Sequence, residues 1–254
     1  MSSSQADATT PSESIDAFVS ARLGSGALDP EYLAAVRRLY EYPSHRRALS
    51  ERDRALVLLA TEVLVTQLNA DGVERGVATA VAAGATRDEI LATVQLASVI
   101  GLHSITFGVP RLRRTLEERG SWPPPSDERL DVVVRTGYRG KPVVGMLRDI
   151  AQLDPEYFVV FRDALEIPWT RGTLGDGLMQ LICIAIDACA SHLYEEGLEL
   201  HFREALDAGV SASEILEVLQ LCSITGLRSI ITTLPVLERT FPTTPRPATG
   251  RPTG

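Results

Sequence analysis

The sequence predicts an all-α protein built from two tandem copies of one helical unit. Three observations carry that reading: blocks of residues recur at a constant offset of 125, the residues that start and stop helices recur with them, and no stretch sustains the period-two alternation of a half-buried strand. Asp29-Pro30-Glu31-Tyr32 returns as Asp154-Pro155-Glu156-Tyr157. Without a gap, Pro43 pairs with Pro168, Arg46 with Arg171, Gly84 with Gly209, Gly101-Leu102 with Gly226-Leu227 and Pro110 with Pro235.

Residues 1–12 are polar and expected to be disordered, and the first repeat is assigned to residues 13–119. Asp29 and Asp154 read as N-caps, each followed by Pro at the first helical position, where a missing N–H costs nothing. Residues 54–68 and 179–193 are strongly apolar and free of Pro and Gly, so each is expected to form one helix. An amphipathic helix follows in each copy and stops at Gly84 or Gly209, the residue type suited to a left-handed C-cap. Thr86-x-x-Glu89 and Ser211-x-x-Glu214 are matching capping boxes that start the next helix. Residues 120–138 contain Trp122 followed by three prolines and read as a stiff linker. The second repeat is assigned to 139–241, and the Pro/Thr/Gly tail at 242–254 is expected to be disordered.

Acidic residues outnumber basic ones 33 to 25, giving a net charge of −8 without a Lys/Arg cluster. That balance argues against nucleic acid or an anionic membrane surface as partner. The apolar stretches at 90–102 and 178–190 are shorter than the roughly 20 residues of a spanning helix. A polar N-terminus adds to the expectation of a cytoplasmic protein. Three cysteines without CxxC spacing, Cys183, Cys189 and Cys222, fit reduced thiols. No His/Asp/Glu set has the spacing of HExxH and no Gly-rich phosphate loop is present, so no metal, nucleotide or other cofactor is expected.

The run Leu198-Glu199-Leu200-His201-Phe202-Arg203-Glu204-Ala205-Leu206, the glycine at 209 and the turn Ile224-Thr225-Gly226-Leu227 resemble the signature of the carboxymuconolactone decarboxylase family. Trp169-Thr170-Arg171 resembles the family's approach to its first core helix. The likeness covers about residues 28–117 and 140–240 and implies two alkylhydroperoxidase D-like repeats packed as a pseudo-dimer. Peroxidase members of the wider superfamily carry CxxC four residues before His. Those places are Tyr194 and Gly197 here, with Asn69 and Gly72 in the first copy, so disulfide-based peroxide reduction is excluded at this position.

By that resemblance His201 is the first catalytic candidate, a general acid or base. Its counterpart in the first copy is Gly76. Glu62 and Asp187 occupy equivalent positions in apolar helices, where a carboxylate is either edge-exposed or buried with a partner. Thr66 and Asn69, with Ser191 and Tyr194, are expected to continue a polar stripe at i+4 and i+7. The family's arginine near the start of this helix is matched by Arg54 but not by Met179. A composite site is therefore one reading, Arg54 holding a substrate carboxylate and His201 moving a proton, and decay of both sites is the other. His103 and Arg228, equivalent to each other after the Gly-Leu turn, together with His192 and Trp169, complete the candidate binding residues.

The expected function is cofactor-independent decarboxylation, or related enolate chemistry, on a small anionic organic acid or lactone. A non-catalytic binding or scaffold module on the same helices is the rival from another class, and a redox role through the cysteines is a third. Single-unit relatives form trimers or hexamers, so the resemblance implies a homo-oligomer, three two-copy chains imitating a hexamer.

Overall fold

A computed structural model describes residues 29–68, 70–122 and 137–241. The two ends and most of the linker expected from the sequence lie outside the described residues, as does Asn69. The first repeat contributes α1 (Pro30–Arg46), α2 (Glu51–Glu62), α3 (Ala70–Ala82), α4 (Arg87–Ser98), a 3-10 turn (Val99–Leu102) and α5 (His103–Glu118). In the second repeat α6 (Gly145–Leu153) comes first, its equivalent residues 20–28 in the first copy lying outside the described residues. Then come α7 (Pro155–Thr170), α8 (Asp176–Asp187), α9 (Glu195–Asp207), α10 (Ala212–Ser223), a 3-10 turn (Ile224–Leu227) and α11 (Arg228–Thr240). From α2 through the 3-10 turn, the elements of the two copies begin and end at positions 125 apart.

The sequence signals act where they stand. Asp29 and Asp154 accept a hydrogen bond from the backbone N–H three residues on, and both capping boxes are closed reciprocally. Gly84 and Gly209 have φ of +88° and +85°, the left-handed turn that a Cβ would strain.

The helices expected over 54–68 and 179–193 end earlier, at Glu62 and Asp187. The chain turns back there, and Tyr194 N–H returns to the Asp187 carbonyl. Leu193 takes a positive φ of 45° to allow it. Local composition continues to favour helix, and the closing hydrogen bonds decide otherwise. The polar stripe is accordingly not helical: Thr66 and Ser191 lie in the turns, not at i+4 of a helix.

α8 is buried from Met179 through Asp187 and packs against α2, α4, α9 and α10. Leu56, Val57 and Ala60 of α2 share one apolar core with Ile182, Ile184 and Ala185 of α8. Neither repeat closes this core by itself, so the two halves fold as a pseudo-dimer around it. Thr66 Oγ1 and Ser191 Oγ, equivalent atoms to within a methyl group, meet at 3.0 Å on the pseudo-two-fold. A smaller core of Val143, Ile150, Phe158 and Phe161 ties α6 and α7 to α5.

Arg87–Glu118 and Ala212–Thr240 are each long and apolar enough, by length and composition, to cross a membrane. Each is two helices joined by a 3-10 turn, and Leu96 and Leu221 enter the shared core from them.

Candidate active site between the repeats

The second repeat cannot build its pocket without the first. A cavity of about 400 Å³ lies where α4, the 3-10 turn and α5 of the first copy face α7, α8 and α9 of the second, with α6 as a further wall. Leu96, Val99, Leu102, Leu165 and Ile186 make its surface mostly apolar. Polar groups are concentrated at His103, Asp187, His201, Tyr194, Arg139 and Glu204.

His201, on α9, is held by a chain of hydrogen bonds. Arg139 Nη1 (3.2 Å) and Gln180 Nε2 (2.7 Å) donate to the Glu204 carboxylate. Because its amide nitrogen is thus engaged, Gln180 presents Oε1 to His201 Nδ1 at 2.6 Å. This assigns the ring proton to Nδ1 and leaves the Nε2 lone pair toward Asp187 Oδ2, 3.9 Å away. Trp169 lies parallel to the His201 ring, and the Arg139 guanidinium sits 4.0 Å over the indole. Burial, with Arg139 adding repulsion, pushes the His201 pKa down to about 4 despite the opposing pull of Glu204. For Glu204, burial acts upward, but the Gln180 and Arg139 hydrogen bonds and charge prevail and hold its carboxyl below the usual range.

Asp187 ends α8 and is 1% exposed. Burial raises its pKa from 3.8 to about 8, and among the described residues its Oδ2 has no hydrogen-bond partner. Room for the carboxylate comes from Gly197, where a Cβ would stand 2.3 Å from Oδ2. From the other repeat, His103 brings Nδ1 to 3.7 Å from Asp187 Oδ1 and to 2.6 Å from His192 Nε2. Burial first, then repulsion from His192 and His201, lowers the His103 pKa to about 4, and burial lowers that of His192. Near neutral pH the His–Asp contacts are therefore between uncharged groups. Tyr194 packs on His103 and donates to Thr106 Oγ1 at 3.0 Å. His103 also lines a second, outer groove of about 500 Å³ together with His192.

Of the candidates read from the sequence, His201, Asp187, Tyr194, His103 and Trp169 line the inner cavity, and His192 lines the outer groove. The remainder are placed elsewhere. Arg54 does not line the cavity: it binds buried Glu217 at 2.6 Å, and the same carboxylate accepts Ala48 and Leu49 N–H. A composite of Arg54 and His201 is thus not what the fold assembles. Glu62 and Arg228 pair with each other at 2.8 Å in the first copy's equivalent place. Ser191 is exposed on the pseudo-two-fold.

The sequence reading missed Arg139, Gln180 and Glu204. Arg139 follows immediately on the segment read as linker and has no counterpart among the described residues of the first copy. Glu204 stands one turn beyond His201, a spacing that could have singled it out. Cys183 lines the cavity, but burial drives its thiol pKa far up, which opposes thiolate chemistry.

The carboxymuconolactone decarboxylase family model matches residues 155–234, within the second repeat. No curated protein gives a significant match. A crystal structure described as a gamma-carboxymuconolactone decarboxylase subunit, from Burkholderia xenovorans LB400, is 33% identical, with a TM-score of 0.75. The alignment covers 88% of this chain and 89% of that one, hence both repeats. By its repeated fold, its motif and that full-length likeness, the chain belongs to the carboxymuconolactone decarboxylase family.

Proposed function

We propose that the chain is a decarboxylase-like enzyme with one working site, the cavity between its repeats, acting on a small organic acid or lactone acid. The observation that carries this reading is the juxtaposition of an apolar chamber with a His201 ring of fixed tautomer, its Nε2 facing inward. Decarboxylation breaks the bond from carbon to the carboxylate, releases carbon dioxide and leaves the electron pair on an enolate, which then takes up one proton at carbon. Apolar walls disfavour the charged carboxylate relative to the delocalised enolate. Arg139, the guanidinium in the lining, orients the substrate anion, and His201 Nε2, a lone pair at rest, takes up a proton from solvent and passes it to the enolate carbon. No cofactor is required for these steps.

The test is carbon dioxide release from a panel of γ-lactone acids and β-keto acids, comparing wild type with Arg139→Ala and His201→Ala. The reading expects release that falls by about 100-fold or more in His201→Ala, and a raised KM in Arg139→Ala. No release from any substrate, with intact folding and ligand-induced thermal shifts, would establish the binding-module rival instead.

We also infer self-association, three chains imitating a hexamer. Phe107, Leu112, Val236 and Leu237 leave apolar side chains on the outer faces of α5 and α11, which supports it. Light scattering at the 27.6 kDa of a single chain would overturn it.

A further inference from the structure

The pseudo-two-fold allows one half of the molecule to be read against the other. At the end of α2, Arg228 reaches across from the second copy and places its guanidinium against Glu62 Oε1 and Gln67 Oε1. At the end of α8 the three equivalent positions are His103, Asp187 and His192. There the carboxyl and the turn residue remain polar, but the residue reaching across brings a ring lone pair instead of a cation. One donor atom from each of the three lies within 4.8 Å of the others. The rings of His103 and His192 are nearly coplanar, 9° apart, and share a proton head-on at 2.6 Å. Asp187 Oδ2 is buried without a hydrogen-bond partner among the described residues.

We propose that His103, His192 and Asp187 form a binding site for a divalent transition-metal ion of the zinc type, occupying the place that the Arg228 guanidinium fills in the other half. Two imidazoles and one carboxylate are a common donor set for such ions. Bond lengths of about 2.0–2.1 Å give a tetrahedral edge near 3.4 Å. The His103–His192 nitrogens must open by under about 1 Å, and the most separated donors must close by about 1.4 Å. His192 lies in the turn between α8 and α9, so a swing of its ring accomplishes both. Coordination displaces the proton shared by the rings and any proton on Asp187. A fourth position remains open, and His103 and Asp187 border the inner cavity. The ligands come from both repeats, 84 residues or more apart from His103, which is why no local spacing announces them.

The experiment uses tag-free full chain stripped with a chelator and dialysed against Zn²⁺ or Co²⁺. The proposal expects one equivalent of Zn²⁺ per chain by elemental analysis, and intense visible ligand-field absorption with Co²⁺. His192→Ala and His103→Ala should each weaken binding at least tenfold, with far-ultraviolet dichroism confirming their fold, while His45→Ala should bind as wild type. Substoichiometric Zn²⁺ with only the pale spectrum of hydrated Co²⁺ would overturn the site. So would equal binding by folded His192→Ala. Neither readout depends on turnover: metal bound without carbon dioxide release would refute the proposed reaction alone, and release by a protein that binds no metal would refute this site alone.

Discussion

The ends of α2 and α8 are one design carried to two outcomes. Both place a carboxylate at the last helical residue, both turn on equivalent bonds (Gln67 and Leu68 N–H to the Leu64 carbonyl, His192 and Leu193 N–H to the Cys189 carbonyl), and both receive a side chain from the opposite repeat. In the first copy that side chain is Arg228, which also donates to Thr61 Oγ1 at 2.8 Å, and the place is closed as an ion pair. Gly76 stands where His201 would, and a Cβ there would touch Leu59 rather than open space. In the second copy the incoming residue is His103, among the described residues no guanidinium reaches Asp187, and the space beside it is a cavity. A charge-matched pair makes a structural contact; an unmatched buried acid among neutral imidazoles makes a reactive one. The family model's restriction to the second repeat follows the same division.

The sharpest way to break this comparison is to remove the unmatched acid. In metal-free protein Asp187 is protonated well above the pH at which the unfolded chain loses that proton. A raised folded pKa contributes stability that is complete below about 3.8 and is lost as pH climbs toward 8. Relative to Asp187→Asn, wild type should therefore lose up to about 5 kcal/mol across that window, less where the neighbouring turn relaxes. Thermal denaturation against pH checks it, and a flat difference would mean Asp187 ionises without penalty.

Next is a second cross-repeat contact, that of Arg54 with Glu217. Arg54→Met leaves the fully buried Glu217 without its cation and should cost about 3–5 kcal/mol. Met179 and Ala92 occupy the two positions in the other copy, both buried. The double variant Arg54→Met, Glu217→Ala should recover part of that loss, though not the hydrogen bonds from Ala48 and Leu49. Denaturant midpoints decide whether Arg54 is structural, as here, or dispensable.

The smallest effect sharpens the contrast between small residues. Gly197→Ala drives a methyl group into the Asp187 carboxylate and the Tyr194 ring, and should cost roughly 1–3 kcal/mol. Gly76→Ala meets only the movable end of Leu59 at 3.0 Å and should be near neutral. Equal effects would show that the two places are packed alike.

Much of this was readable in the sequence, for a physical reason. Caps, glycine turns and apolar periodicity are local, so the helices and the repeat could be placed before any coordinates. His201 and Trp169 were legible through the family motif, and Asp187 as a carboxylate repeated at Glu62 within an apolar helix. What could not be read depends on non-local pairing. Arg54 resembles a substrate anchor until Glu217, 163 residues away, is seen to hold it. The early ends of α2 and α8 are set by hydrogen bonds of the turns against a helix-favouring composition. Arg139 stands opposite Ser14 at the same offset, a residue of unlike chemistry, so the internal comparison gave no reason to single it out.

The central claim is that the two equivalent places have separated into a working site and a structural one. The direct measurement is carbon dioxide release, on whichever acid the wild type turns over, by His201→Ala against Glu62→Gln. The account predicts a loss of about 100-fold in the first and a rate within about twofold of wild type in the second. Equal losses in both, or a loss confined to Glu62→Gln, would contradict it.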